Sequence, residues 1–214
     1  MICTLGFALL INEVKNKFLR TSVQTFVFLP YFISWVVLGG IFIQLLNPEY
    51  GLVNQLIKSM GFEPIFFLGS NKWFVPIVIL TDVWKEFGYG SIIFLAALAG
   101  INPALYKAAQ IDGASKLKQM LNITLPSLVP TLCVVLTINL GSVLNAGFDQ
   151  IFNLYNPLVY ESGDIIDTFV YRIGLIGGNF SFGTAIGLFK SFVGLFLNVG
   201  GYRIAYKVAG YKIF

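Results

Sequence analysis

Residues 102–130 read NPALYKAAQIDGASKLKQMLNITLPSLVP. Asn102 is placed to cap a helix whose first residue is Pro103, an arrangement that helices favour because proline's missing N–H is an orphan there anyway. That helix is expected to run to Gln110 and to present Ala108 and Ala109, whose small side chains let another surface approach closely. Asp112-Gly113 is a turn pair: Gly113 tolerates positive φ, and Asp112 is placed to cap a second helix. The second helix sets Leu117, Leu121 and Thr124 at helical spacing, and Leu125-Pro126 is expected to end it at a membrane edge. The product is a helix–turn–helix elbow with an apolar run on either side.

Outward from the elbow, those runs set the fold class. Trp73–Ile101 precedes it, interrupted by Asp82, Lys85, Glu86, Gly88 and Gly90, and Leu128–Ala146 follows. Phe26–Leu46 and Phe182–Tyr206 are two further runs, and each of the four reaches the roughly 20 apolar residues that a bilayer crossing needs. Pro30 sits near the start of its run, where a missing donor costs least. Met1–Ile11 is apolar from the outset, lacks the basic region and cleavage pattern of a signal peptide, and reads as the tail of a helix that begins upstream. Between spans, Asn47–Ser70 has turn signals at Asn47-Pro48 and Tyr50-Gly51 and room for a short amphipathic helix over Leu52–Met60.

Composition agrees. Hydrophobic residues make up 57% of the 214 and charged ones 11%, with a mean hydropathy of +0.79; a water-soluble domain of this size cannot hide so much apolar surface. The net charge of +4 is distributed by loop. Connectors 12–20, 102–124 and 203–214 hold nine Lys or Arg, whereas 47–72 and 148–180 hold only Lys58, Lys72 and Arg172 beside six acids. The positive-inside rule makes the first set cytoplasmic, with the C-terminus, and the second external. The two sets alternate as four spans and an outward-starting stub require. The expected fold is therefore all-α: a polytopic membrane protein of about five transmembrane helices, the first truncated, with a cytoplasmic elbow.

Several activities are disfavoured. No basic patch is interleaved with aromatics, so nucleic acid is not an expected partner. There is no His, and Cys3 and Cys133 both lie in apolar runs, so no metal site, disulfide or nucleophile–base pair is expected. No G-x-x-x-x-G-K-[ST] loop is present to cradle nucleotide phosphates. The expectation is a non-enzyme without a cofactor, whose energy comes from elsewhere.

The elbow resembles the coupling motif of binding-protein-dependent ABC importer permeases, E-A-A, two residues, D-G-A, then a hydrophobic position, I-x-L-P and a later Pro. Ala108, Ala109, Asp112, Gly113, Ala114, Met120, Ile123, Leu125, Pro126 and Pro130 stand in register, and Lys107 replaces the usual Glu. FLPYFISWVVLGGIFIQLLNPEYGLVNQLI, DVWKEFGYGSIIFLAALAGINP and GLFKSFVGLFLN extend the resemblance to the MalF-type carbohydrate permeases, in their polysaccharide or oligosaccharide branch. The resemblance implies a type-1 transmembrane domain over 1–214, incomplete at its N-terminal end, in a bacterial plasma membrane. It implies a sugar or oligosaccharide substrate and three protein partners: an ATP-binding cassette subunit, a second permease and an extracellular solute-binding protein. It also implies that Lys107, Ala108, Ala109, Asp112, Gly113, Ala114 and Pro126 couple to the ATPase. The alternatives are a fragment that does not assemble, or a secondary transporter, which would show internal repeats that are not evident here.

Ionisable and polar groups inside spans are costly and tend to face a cavity or each other. Trp84 and Lys85, with Asn139 and Asn145, are therefore candidate substrate-path residues. The competing reading pairs Asp82, Lys85 and Glu86 along one helix and makes Asn139 and Asn145 interhelical glue. Lys190 is expected to extend outward from the last span.

Overall fold

A computed structural model describes residues 1–209; Lys212, at the end of the basic tail, lies outside them. The described residues are helical, without strands. In chain order the helices are α1 Ile2–Glu13, α2 Lys17–Phe28, α3 Trp35–Leu45, α4 Leu52–Ser59, α5 Asn71–Ala99, α6 Pro103–Ile111, α7 Lys116–Gln119, α8 Leu125–Gly141, α9 Phe148–Leu154, α10 Tyr160–Gly163, α11 Ile166–Val170 and α12 Phe180–Ala209.

Lys116–Gly141 forms one path of 26 residues and Phe180–Arg203 one of 24, both long and apolar enough to cross a bilayer. Two further candidates are bent pairs, α2 with α3 and α5 with α6. Along α12, Leu188, Phe189, Phe192, Leu195 and Phe196 are all exposed. Such a face would be a liability in water and suits a hydrocarbon surround.

Two expectations for these elements are corrected. The run Phe26–Leu46 is not one helix: a 3₁₀ turn, Leu29–Phe32, interrupts it, and α3 starts afresh at Trp35. Pro30 supplies no N–H to continue α2. Ser34, extended at φ −65° and ψ 151°, caps α3 by accepting from the Val37 N–H at 3.4 Å. The second correction concerns Pro126, which does not end the elbow's second helix. A π turn over Met120–Thr124 carries α7 into α8. Its wider i→i+5 bonding shifts the ladder by one residue, and Pro126 falls in the first turn of the new segment, where its N–H is not required.

The chain divides into two compact units. The first comprises 1–27, 87–143 and the chain from Phe192. Its core is Ala8, Phe94, Leu98 and Leu128, with Leu5, Leu9, Leu95, Leu132 and Val135 packed around them. Glycines allow the close approaches here. A Cβ on Gly90 would press on Thr4 Cγ2 at 3.2 Å, and one on Gly141 would overlap the Asn198 amide. Small residues at crossings are how apolar helices gain packing energy when lipid competes for the same surfaces.

The second unit comprises 28–86 and 144–191, around Leu46, Phe67, Leu68, Phe74, Leu154 and Val159. Polar side chains tie its irregular stretches. Asn54, fully buried, donates to the carbonyls of Leu46, Asn47 and Ile65 at 3.0–3.2 Å and accepts from the Ile65 N–H at 2.7 Å. One side chain on α4 thereby ties three loop carbonyls and one N–H together, adding to the backbone bonds that the Asn47 and Ile65 carbonyls accept from Gly51 and Phe67. Asn156 Nδ2 donates to the Leu68 carbonyl at 2.8 Å. Gln150 Nε2 donates to the Val78 carbonyl at 2.7 Å and Thr81 Oγ1 at 2.9 Å, anchoring α9 on α5.

Candidate functional site

The elbow is built by local chemistry. Asn102 Oδ1 accepts from the Ala104 N–H at 2.9 Å, which caps α6 over Pro103 as its first residue. The far end closes in a Schellman arrangement: Gly113 N–H donates to the Gln110 carbonyl at 3.1 Å and Ala114 N–H to the Ala109 carbonyl at 2.8 Å. Gly113 carries the left-handed φ of +72° that this closure demands. The sequence assigned the next cap to Asp112, and the structure gives it to Ser115, whose Oγ accepts from the Lys118 N–H at 3.4 Å. Asp112 instead ends α6; it lies on the helical side of Gly113, and a cap must lie beyond the reversal.

Tertiary bonds then fix the elbow. Gln119, 4% exposed, donates to the Ala114 carbonyl at 2.8 Å. Tyr106 and Thr124 share a hydroxyl–hydroxyl bond of 2.9 Å, and Lys116 pairs with Glu13 at 3.1 Å. The helix α5 turns into α6 with a bend of 68°. The outcome is a rigid corner with an uncovered apolar side: Ile111 is 87% exposed, with Leu105, Leu117 and Leu121 also exposed. Lys107, Ala108, Asp112, Gly113 and Pro126 are exposed too, and Ala109 and Ala114 are half-buried. The structure thus brings Lys107 through Ala114 onto one corner and sets Pro126 on the helix leaving it. An exposed apolar surface of this kind suits contact with either another protein or lipid.

The proposed path residues belong to both units. Trp84 is 44% exposed, edge-on to Phe42 at 5.8 Å. Lys85 is 6% exposed and donates to the Tyr31 carbonyl at 2.7 Å, with its ammonium 5.0 Å from the Tyr31 ring and 5.7 Å from the Trp35 ring. Of the acids on its own helix it pairs with Glu86, at 3.8 Å. A buried cation in an apolar span requires such partners, and Lys85 finds them at the break between α2 and α3. Asn139 lies exposed on α8 in the first unit, and Asn145 exposed in the link to α9 in the second.

Other groups escaped the sequence reading. Lys190 does not extend outward: its side chain, 14% exposed, forms an ion pair with Asp167. The shorter path to a carboxylate outweighs the longer one to water. Asp164 takes a forked pair of bonds from Arg172, the geometry in which a guanidinium binds a carboxylate most strongly. Arg172 also lies over the Tyr160 ring at 4.3 Å. The two pairs join residues 8 and 23 apart, so the one-turn spacing of a helix does not announce them. Among the described residues no cluster of His, Cys, Asp and Glu is arranged to hold a metal.

Comparison with known proteins places this architecture. The model of the family described as "Binding-protein-dependent transport system inner membrane component" matches residues 2–208. Protein LplB of Bacillus subtilis (strain 168) is 42% identical over 200 residues, 94% of this chain and 63% of that protein. The polygalacturonan/rhamnogalacturonan transport system permease protein YteP of the same organism is also 42% identical, over 94% of this chain and 62% of that one. The chain therefore spans less than two thirds of the length of these two relatives. A crystal structure of a bacterial ABC transporter involved in the import of the acidic polysaccharide alginate contains a chain with TM-score 0.94 and 42% identity, covering 96% of this chain and 72% of that one. The bacterial alginate transporter in complex with an alginate pentasaccharide-bound periplasmic protein gives 0.95 and 41%, over 99% and 73%. The all-α helices, the membrane-length spans and the match over nearly every residue lead to one conclusion: this chain belongs to the binding-protein-dependent transport system inner membrane components, multi-pass proteins of the inner membrane.

Proposed function

We propose that this chain is the membrane-spanning permease subunit of an importer for sugars or oligosaccharides, driven by ATP hydrolysis in a partner subunit. The observation that carries the reading is the elbow, a rigid corner with Ile111 uncovered and a Schellman closure at Gly113. In this reading Lys107, Ala108, Ala109, Asp112, Gly113 and Ala114 meet the ATP-binding cassette subunit, and Pro126 lies where the docked elbow passes into the membrane. Closure of the ATPase pair on ATP moves the elbow, and the continuous path Lys116–Gly141 transmits that movement into the bilayer. A rigid helix is suited to this because it moves as a lever rather than deforming. The spans then alternate between outward- and inward-facing states, and Trp84, Asn139 and Asn145 are separate candidate contacts for the substrate. Lys85 acts on the path through Tyr31, by holding the break that precedes α3.

The roles of the relatives support a saccharide substrate, and the partner set follows: a second permease, an ATP-binding cassette subunit and an external solute-binding protein. The chain itself performs no catalysis in this scheme. The reading is tested by purifying the chain in mild detergent and identifying by mass spectrometry what accompanies it. Co-purification of an ATP-binding subunit and a second permease is the expected result. Recovery of the chain alone, with no stimulation of saccharide uptake in reconstituted vesicles, would sink the reading.

A further inference from the structure

The helix α9 has two unlike faces. Gln150, Ile151 and Leu154 are buried, whereas Phe148 and Phe152, at i and i+4, are half-buried or exposed on another side, and Tyr155 follows just past the helix end. The aromatic side does not stand alone. Phe148 stacks on Phe152 at 5.2 Å with 20° between the planes, and Tyr171 meets Phe152 edge-on at 5.1 Å. Phe152 adjoins Tyr155 at 6.2 Å, and Tyr155 adjoins Tyr160 at 5.1 Å. Phe148 and Tyr171 also meet, at 5.8 Å, so these two and Phe152 form a packed trio that Tyr155 and Tyr160 extend into a strip of five rings. It ends at a polar group: Arg172 lies over the Tyr160 ring at its far end while forked to Asp164.

We propose that this strip is a saccharide-binding platform, the place where a pyranosyl chain rests on the external side of the membrane before entering the spans. The inference rests on the importer reading above and adds a site to it. A pyranose offers flat C–H faces that pack on aromatic rings and a rim of hydroxyls that need planar donors and acceptors. The strip offers both in that order. Asp164 occupies two of the five N–H donors of Arg172, and the phenol oxygens and the carboxylate supply acceptors. If the rings served only to fill a core, they would be sealed by apolar neighbours; instead Phe152 is 39% exposed and the other four rings are partly open. Tyr and Phe present large, rigid contact area at small entropic cost, which suits a ligand that must bind and leave repeatedly.

The experiment measures uptake by the full transporter, reconstituted with its partner permease, ATPase and binding protein. The probes are a panel of radiolabelled maltotetraose, xylotetraose and tetragalacturonate. On the saccharide that the native assembly takes up best, Phe152→Ala and Phe152→Leu are compared with Phe152→Tyr at equal amounts of assembled complex. Loss of a stacked ring is expected to raise the KM about tenfold for both Ala and Leu, and Tyr is expected to keep the native value. A native KM in the Leu variant would overturn the platform, because bulk without a ring would then suffice. Absence of uptake of any of the three by the native assembly would overturn the saccharide-importer reading itself, and the platform with it.

Discussion

At Gly113 a substitution meets backbone strain and no clash: φ is +72° and nothing lies within 4 Å of a Cβ built there. Gly113→Val forces an L side chain into the left-handed region at about 1–2 kcal/mol, enough to shift the elbow's geometry by roughly tenfold in population. We expect ATP hydrolysis by the assembled transporter to persist while saccharide uptake falls about tenfold; equal losses of both would place Gly113 in stability rather than coupling. Asn54 is the opposite kind of residue, silent in the sequence and fully buried in the structure. Asn54→Ala takes the amide from three carbonyls and one N–H, of which the Asn47 and Ile65 carbonyls keep backbone donors, at about 1–3 kcal/mol. A lowered melting temperature of the detergent-solubilised chain is the expected outcome, and an unchanged one would mean that water replaces the amide. Lys107, exposed on the elbow, shows why residue identity and residue place are separate matters. Its position is fixed by the helix, and the effect of its charge is set by whatever docks there.

At the scale of elements, the break between α2 and α3 is the feature with most consequence. Pro30 removes a donor, Ser34 restarts the helix, and Lys85 from α5 binds the carbonyl of Tyr31 at 2.7 Å. A buried charge-assisted bond contributes about 1.5–3 kcal/mol. Lys85→Met keeps most of the side-chain length without the donor. Hydrogen exchange over Leu29–Trp35 is expected to rise about tenfold or more, with the rest of α5 unaffected. Unchanged protection there would show that the break holds itself without Lys85. The elbow's second helix offers a parallel case. Its π turn at Met120–Thr124 allows a proline to sit in a continuous path, where an α-helical ladder would have stopped.

At the scale of the whole molecule, the alternation of basic and acidic connectors predicts sidedness. In a Cys3→Ser, Cys133→Ser background, Lys15→Cys is expected to resist a membrane-impermeant maleimide applied to intact cells and to react in inverted vesicles. Glu161→Cys is expected to do the reverse. Both sites are exposed, so a failure to label reports the membrane and not burial; labelling of both sites from one side would refute the topology. Helix positions were largely legible in the chain because apolar length and caps are local. Asn102-Pro103 starts α6, Gly113 ends it, and Leu52–Ser59 forms within the amphipathic stretch expected there. Helix continuity was less legible, since a proline announces a broken ladder without saying whether a cap or a π turn repairs it.

The sequence by itself determined the solvent and the number of apolar runs, because hydrophobic length against bilayer thickness is a property of composition along the chain. It also determined the elbow's closure, because Pro103 at a helix start and Gly113 at a helix end are constraints of single residues. Only the tertiary structure decided the partners of the buried polar groups: Lys85 with Tyr31, Asn54 with three carbonyls, Lys190 with Asp167, and Arg172 with Asp164. A charge or amide in an apolar setting must be satisfied, and the sequence states that demand. Which group satisfies it depends on which backbone the fold brings within about 3 Å, and no spacing along one helix encodes that.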